Sequence, residues 1–558
     1  MKKLSPVVVA VCAIVSTATM RGAEVAIKLV DVAAKAGVTL LNICGDTTKD
    51  FIVDANGNGA AWIDYDNDGS LDLLIVNGST REHMKQGGDP MVALYRNDGK
   101  GHFEDVTGRS GMARRGWGNG VCVADYDNDG FSDVYVTGIG GGALFHNNGD
   151  GTFADVTERA HVGNRGRWGT GCAFGDYNRD GLVDLYIANY VRFDQNTIPR
   201  RGETAGCKFM VVDVYCGPKS LEGEPDVLYK NNGDGTFADV TAAAHITDPG
   251  YPGFGVLFSD LDNDGWPDIY VANDSTANFF FHNNHDGTFT DKALVAGIAV
   301  SGDGREQAGM GVDAGDFNGD GLLDVIVTNF SHDYNTLYEN HAGGFFNDVS
   351  YRTGIARGSG PSMGWGVGLV DMDNDGRLDL FVANGHVYPQ VDSHGIGTHY
   401  LQRKQLLRNL DGRQFKDVTD EVGGGLLIEK SSRGAAFGDY DNDGRIDVIV
   451  TNINDRPTLL HNEGAGGHWA TFRLIGSKSN RDAIGAKLLV AAGGRRQVIE
   501  IRSGGSYMSQ NDLRAHVGLG DAARIDRLEI RWPDGAIDTA NSVAADRFYV
   551  AREGQGIK

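Results

Sequence analysis

Proline is scarce, 12 in 558 residues, and cysteine scarcer at six. So little proline excludes a collagen-like chain, and so few cysteines exclude a scaffold held mainly by disulfides. Positive charge is also in deficit: Lys and Arg number 51 against 75 Asp and Glu, a formal charge of −24. Nucleic-acid binding needs a clustered basic surface, and none is visible, so no nucleic-acid partner is expected. Long apolar stretches are lacking too. The run from Val7 to Val15 is short of the roughly 20 residues that a membrane span needs, and no later stretch qualifies, so no transmembrane anchor is expected. Long apolar helical periodicity is rare, which argues against an all-α protein. No G-x-S-x-G elbow, P-loop or H-E-x-x-H occurs.

Two features stand out in what is present. Lys2 and Lys3, the apolar run and the small residues Ser16-Thr17-Ala18 form the layout of a secretory signal peptide over residues 1–23, which predicts a secreted or periplasmic protein. Glycine, at 81 residues, is about twice its ordinary share, as befits many tight turns between short strands.

A nine-residue pattern, D-x-[DN]-x-D-G-x-x-D, recurs seven times and defines loops 1 to 7. Its acidic and amide positions are Asp64, Asp66, Asp68 and Asp72; Asp125, Asp127, Asp129 and Asp133; Asp176, Asn178, Asp180 and Asp184; and Asp260, Asp262, Asp264 and Asp268. The remaining three sets are Asp316, Asn318, Asp320 and Asp324; Asp371, Asp373, Asp375 and Asp379; and Asp439, Asp441, Asp443 and Asp447. Positions 1, 3 and 5 put short oxygen-bearing side chains on alternate residues, glycine at position 6 permits the sharp turn, and Asp at position 9 can close the shell. Position 7 ranges from Ser70 to Trp266 and Arg445, the indifference expected of a backbone-carbonyl ligand. Hard oxygen donors in this number suit Ca2+ better than Mg2+ or a soft metal, so up to seven Ca2+ are expected, one per loop. The loops hold 26 carboxylates, more than the whole net charge, and such clustering is costly without a cation.

The EF-hand is excluded by position 12. It would need a bidentate Glu there, whereas these loops have Ile75, Val136, Ile187, Val271, Val327, Val382 and Val450, inside β-branched runs that read as strands. Other positions repeat in step. Gly59, Gly120, Gly171, Gly255, Gly311, Gly366 and Gly434 each lie five residues before a loop, as suits a crowded axis. Downstream come a strand ending in Asn, such as Leu144-Phe145-His146-Asn147, a turn, and a strand of the type Phe153-x-Asp155-Val156. Four short strands per unit is the size of a propeller blade. The last unit stops at Asn462 without its fourth strand, and a spare copy, Leu29-x-Asp31-Val32, lies at the other end, which predicts a ring closed by the N-terminal strand.

These motifs resemble the FG-GAP/VCBS repeats of integrin-type propellers over roughly residues 25–462. Ser479-Asn480, Ala483-Ile484-Gly485-Ala486, Gly504-Gly505-Ser506-Tyr507, Val517-Gly518-Leu519-Gly520 and Trp532-Pro533-Asp534-Gly535 resemble the ASPIC/UnbV domain. The expected architecture is all-β: a signal peptide (1–23), a seven-bladed β-propeller (24–463) and a small β-rich domain (464–558). The family implies a secreted, calcium-loaded propeller and supplies no established reaction.

Two inserts interrupt the repeat. Residues 190–226 contain Cys207 and Cys216, which are expected to pair in an exported protein. Cys122 and Cys172, on glycine-rich strands, are expected to be buried thiols, and Cys44 is unassigned. Residues 385–405 carry His386, His394 and His399; three histidines within fourteen residues could bind Zn2+ or Cu2+, but the spacing matches no recognised ligand pattern, so polar loop residues are the favoured reading. Trp117, Trp168, Phe254 and Trp365 beside the axial glycines either line a binding face or pack between blades. The expected function is a calcium-binding adhesion or binding module for an extracellular protein or carbohydrate. The alternative is an extracellular polysaccharide lyase or hydrolase using the central pocket or the histidine insert, and a purely structural matrix role is a third.

Overall fold

The computed structural model describes residues 26–558; the signal peptide expected over residues 1–23 lies outside them. Seven four-stranded antiparallel sheets account for the repeat. In sheet 3 the strands run Gly169–Gly175, Asp184–Asn189, Val227–Asn231 and Phe237–Asp239 from the inside outwards, and the others follow the same plan. The acidic loop always joins the first strand to the second. In sheet 7 the fourth, outermost strand is Leu29–Asp31, with Leu29 opposite Asn462 and Asp31 opposite Leu460. The innermost strands pack side by side in chain order, and that of sheet 7, Ser432–Gly438, packs against that of sheet 1, Ala60–Ile63, so the set is cyclic.

Close approach explains the axial glycines. A Cβ on Gly171 would stand 1.9 Å from the carbonyl oxygen of Phe254 in the next sheet, and one on Gly311 would stand 2.0 Å from that of Trp365. Residues such as Leu185, Ile187, Ile269 and Val271 fill the space between neighbouring sheets, fully buried. The expectation of free thiols at Cys122 and Cys172 is corrected. They form a disulfide, Cα to Cα 5.8 Å, because both lie on innermost strands that run side by side. Cys207 and Cys216 are also joined, and Cys44 is free and buried.

The C-terminal part holds two further four-stranded sheets. One contains a parallel pair, His468–Ile475 beside Arg547–Arg552. The other orders Arg495–Glu500, Lys487–Ala492, Arg524–Arg531 and Ile537–Ala544. Phe472, Leu488, Val490, Val517, Leu528, Ile530 and Trp532 form the core between them, continuous with Phe174 and Leu185 of sheet 3. No helix among the described residues is long and apolar enough to cross a membrane.

Candidate metal centres

Each acidic loop is built by its own side chains. In loops 2 to 7 the position-1 carboxylate accepts from the backbone N–H of position 5 and of the position-6 glycine, as when Asp125 accepts from Asp129 (3.0 Å) and Gly130 (2.7 Å), and in loop 1 Asp64 accepts from Gly69. Position 5 accepts from the N–H of position 7, as Asp129 does from Phe131 at 2.9 Å. Residues at position 4, including Asn67, Asn128, Asn263, Asn374 and Asn442, adopt φ of 56–61°, which Asn tolerates better than most residues. Position 9 ties the loop to the sheet: Asp133 accepts from the N–H of Tyr126 (3.1 Å) and of Asn147 (2.7 Å).

The loops bring the sequence-identified carboxylates together. Ligand atoms of Asp64, Asp66 and Asp68 lie within 4.8 Å of one another, as do those of Asp125, Asp127 and Asp133. Asp262 converges with Asp268, and Asp441 with Asp447, each with a histidine. In loops 3 and 5 the position-5 N–H donates to positions 1 and 3 alike: Asp180 to Asp176 and Asn178, and Asp320 to Asp316 and Asn318. In loop 6 Asp371 accepts from Asp375 and Gly376, and Asp379 from Met372 and Asn409.

The donor set fits a hard dication. One oxygen each of Asp64, Asp66, Asp373 and Asp441 is buried without a partner. Burial pushes the position-9 carboxyls up, Asp72 to about 8 and Asp324 to about 9, and Asp439 at position 1 to about 8. Neighbouring carboxylates add to the rise. A bound cation would reverse that penalty.

Two contributors escaped the sequence reading. The Asn ending each third strand is a staple between sheets. Its Nδ2 donates to the position-2 carbonyl of the preceding sheet's loop at 2.6–2.9 Å, through Asn147, Asn231, Asn283, Asn340, Asn409 and Asn462, and Asn97 closes the circle on Tyr440. Its invariance among the repeats was visible, but its partner lies in another repeat. The second is the residue before that Asn, which leans over the loop. Arg96 pairs with Asp66 at 2.7 Å, Lys230 with Asp180 at 3.4 Å and Arg408 with Asp373 at 2.6 Å.

The C-terminal domain sits on the loop face. Arg473 donates to Asn67, Asp482 accepts from the N–H of Asp125, Lys487 pairs with Asp260 at 2.8 Å, His516 bonds Asn374 at 2.7 Å, and Arg514 donates to Asn442. From this domain Gly504–Gln510 enters the axis. Ser506 accepts from the N–H of Val312, Met508 from that of Val121 and Gln510 from that of Trp62. Tyr507 reaches through to the carbonyl of Asn56 at 2.8 Å. Trp117, Trp168, Phe254 and Trp365 pack with Tyr507 and Met508 in one buried cluster, together with Tyr190, Tyr215 and Tyr388 of the inserts. They therefore line no open face, and the axial pocket is filled.

The histidine insert does not converge. His386 is fully buried, with Nε2 on Ser331 at 3.0 Å and Nδ1 accepting from the N–H of Tyr388 at 3.1 Å. His394 and His399 are exposed and bond Gln390 and Asp392 separately. Both ring nitrogens of His386 being taken, the three offer no common metal site.

Comparison with known proteins agrees with this architecture. The FG-GAP-like repeat family matches residues 64–136, 125–187, 211–271, 260–327 and 316–382, and the ASPIC and UnbV family matches 476–558. Cartilage acidic protein 1 of Mus musculus is 28% identical over 392 residues, 68% of this chain and 54% of that protein. Its Xenopus tropicalis counterpart is 26% identical over 519 residues, 86% and 71%. The chain thus spans about half the length of the mouse relative. Among solved structures, an Agrocybe aegerita lectin that recognises non-reducing terminal N-acetylglucosamine is similar at TM-score 0.38 and 18% identity, covering 68% of this chain and 89% of the lectin. YCF48 bound to D1 peptide is similar at 0.38 and 8%, covering 75% and 97%. Both are loose likenesses of fold.

Proposed function

Because the chain belongs to the family of FG-GAP-repeat proteins that carry a C-terminal ASPIC/UnbV domain, we propose that it is an exported, calcium-loaded, seven-bladed propeller that binds a protein or glycan outside the cytoplasm. In this reading residues 24–463 are the propeller and 464–558 the appended domain. The acidic loops would each hold Ca2+ through positions 1, 3, 5 and 9, and the ion would supply the positive charge that lets buried carboxylates stay ionised. Two disulfides support an oxidising compartment.

One observation carries the choice of binding face. Loops joining strands one and two lie at the opposite end of the sheets from those joining strands two and three. The first set is covered by the C-terminal domain, so the open face is the second, which bears both inserts. There a hairpin, Lys208–Phe209 with Val212–Asp213, is stapled by Cys207–Cys216 and presents Met210 and Val211, 55% and 75% exposed. Apolar residues held rigidly at an exposed tip suit capture of a partner.

Glycan and protein arrays probed with and without Ca2+ test this. A ligand should be retained only with Ca2+, and M210S/V211S should lose it with an unchanged melting temperature. Binding that survives both chelation and the hairpin change would overturn the reading.

A further inference from the structure

The seven loops are not chemically alike, and the difference lies in the side chain that leans over each from the third strand. In loops 1, 3 and 6 that side chain is Arg96, Lys230 or Arg408, a cation, and in loop 5 it is Glu339. In loops 2, 4 and 7 it is a histidine. Nδ1 of His146 lies 3.4 Å from Asp127 and 3.2 Å from Asp133. Nδ1 of His282 lies 2.9 Å from Asp262 and 3.4 Å from Asp268, and Nδ1 of His461 lies 3.8 Å from Asp441 and 3.1 Å from Asp447. The same nitrogen thus stands between positions 3 and 9 three times over.

Two of these nitrogens are free to donate to an ion: Nδ1 of His146 and of His282 is buried and has no aligned hydrogen bond despite the nearby carboxylates. Nδ1 of His461 holds the same place in its loop and bonds Asp447 at 3.1 Å, a contact that an ion between them would replace. One nitrogen and two carboxylate oxygens lie within 4.8 Å of one another in each of these loops. Ca2+ takes oxygen ligands, whereas imidazole favours borderline first-row dications. We propose that loops 2, 4 and 7 are mixed nitrogen–oxygen sites for a first-row transition-metal dication, ligated by His146, His282 and His461. Loops 1, 3, 5 and 6, lacking the nitrogen, remain calcium sites, so this assignment narrows the calcium reading from all seven loops to four.

This assignment rests on reading the loops as cation sites, and the test separates the two. The full chain is stripped with chelator, dialysed against equimolar Mn2+ and Ca2+, and analysed by elemental mass spectrometry and pulsed electron paramagnetic resonance. Three Mn2+ equivalents with nitrogen coupling are expected, the remaining loops taking Ca2+. H146N/H282N/H461N should lose the three Mn2+ equivalents and the coupling. H282N alone should lose one equivalent, a readout that stands if the triple variant folds poorly. Ca2+ in every loop of the wild type, or Mn2+ bound without nitrogen coupling, would overturn this inference alone. A chain that takes up neither ion would overturn the calcium reading with it.

Discussion

At the scale of single residues, the electrostatics of the loops set a pH dependence whose sign can be worked out. In loops 1 and 5, Asp72 is pushed up to about 8 and Asp324 to about 9, chiefly by burial. A folded-state value above the unfolded one, about 4 for Asp, contributes stability that is complete below pH 4 and lost as pH rises through 8 to 9. Without divalent ions the protein should therefore melt lower at pH 9 than at pH 6.5. With Ca2+ the ion takes the place of the protons, and the drop should shrink. His386 and His516, held near 3 mainly by burial, act only below pH 6.5, where unfolded histidine gains its proton and folding is opposed. Lys49 and Lys404, lowered to about 8 mainly by burial, change equally with and without Ca2+ and cancel in the comparison. Melting curves at both pH values, with EDTA and with Ca2+, read the effect; an identical drop in both would exclude a cation near these carboxyls. In a companion variant, Asp129→Ala should remove about one bound ion, counted by native mass spectrometry.

At the scale of elements, neighbouring sheets are held by the Asn staples and by one covalent link. Asn283 donates to the carbonyl of Tyr177 in the preceding loop and to that of Pro267 in its own. Asn283→Ala would strand two buried carbonyls, at a cost of about 1–3 kcal/mol for each left unpaired. Cys122–Cys172 closes a loop between residues 50 apart in sequence. The chain-entropy model gives such a closure about 4 kcal/mol, so C122A/C172A should melt well below the wild type under non-reducing conditions. Equal melting would mean that the two strands are held as firmly by packing alone. Much at this level was legible from the chain. The acidic loops could be read because one metal-site pattern falls within nine consecutive residues, and the strands because each follows its loop at fixed distance. The Cys122–Cys172 pair could not, because pairing depends on two repeats lying in register, and spacing along the chain does not report it. The histidine insert shows the same limit: spacing along the chain sets His386, His394 and His399 near one another, and only the fold shows that burial separates the first from the others.

At the scale of the whole molecule, the C-terminal domain is a clasp on the ring. It could be recognised from its motifs, but its placement could not, since Gly504-Gly505-Ser506-Tyr507 reads as an ordinary turn until the axis that receives it is known. Seated there, Tyr507, Met508, Ser509 and Gln510 are almost wholly buried, and the innermost strands of four sheets donate to the segment. Arg473, Lys487, Arg514 and His516 of the same domain hold five of the loops' own residues in place. Loop conformation, ring closure and domain docking are therefore coupled, and removing the ions should loosen all three together. Chelation should lower the melting temperature markedly and expose the 476–558 segment to limited proteolysis, while a variant without residues 26–31, which lacks the outer strand of sheet 7, should melt lower with Ca2+ still present. Y507A probes the other end of the clasp. It removes a buried ring packed on Phe254 and Trp365, a loss of about 3–5 kcal/mol for a large aromatic, and should make the C-terminal domain cleavable even in saturating Ca2+. If chelation changed neither melting nor cleavage, the loops would be turns stabilised by their backbone hydrogen bonds alone. If Y507A stayed resistant, the domain would be held by its contacts on the loop face and not by the segment that fills the axis.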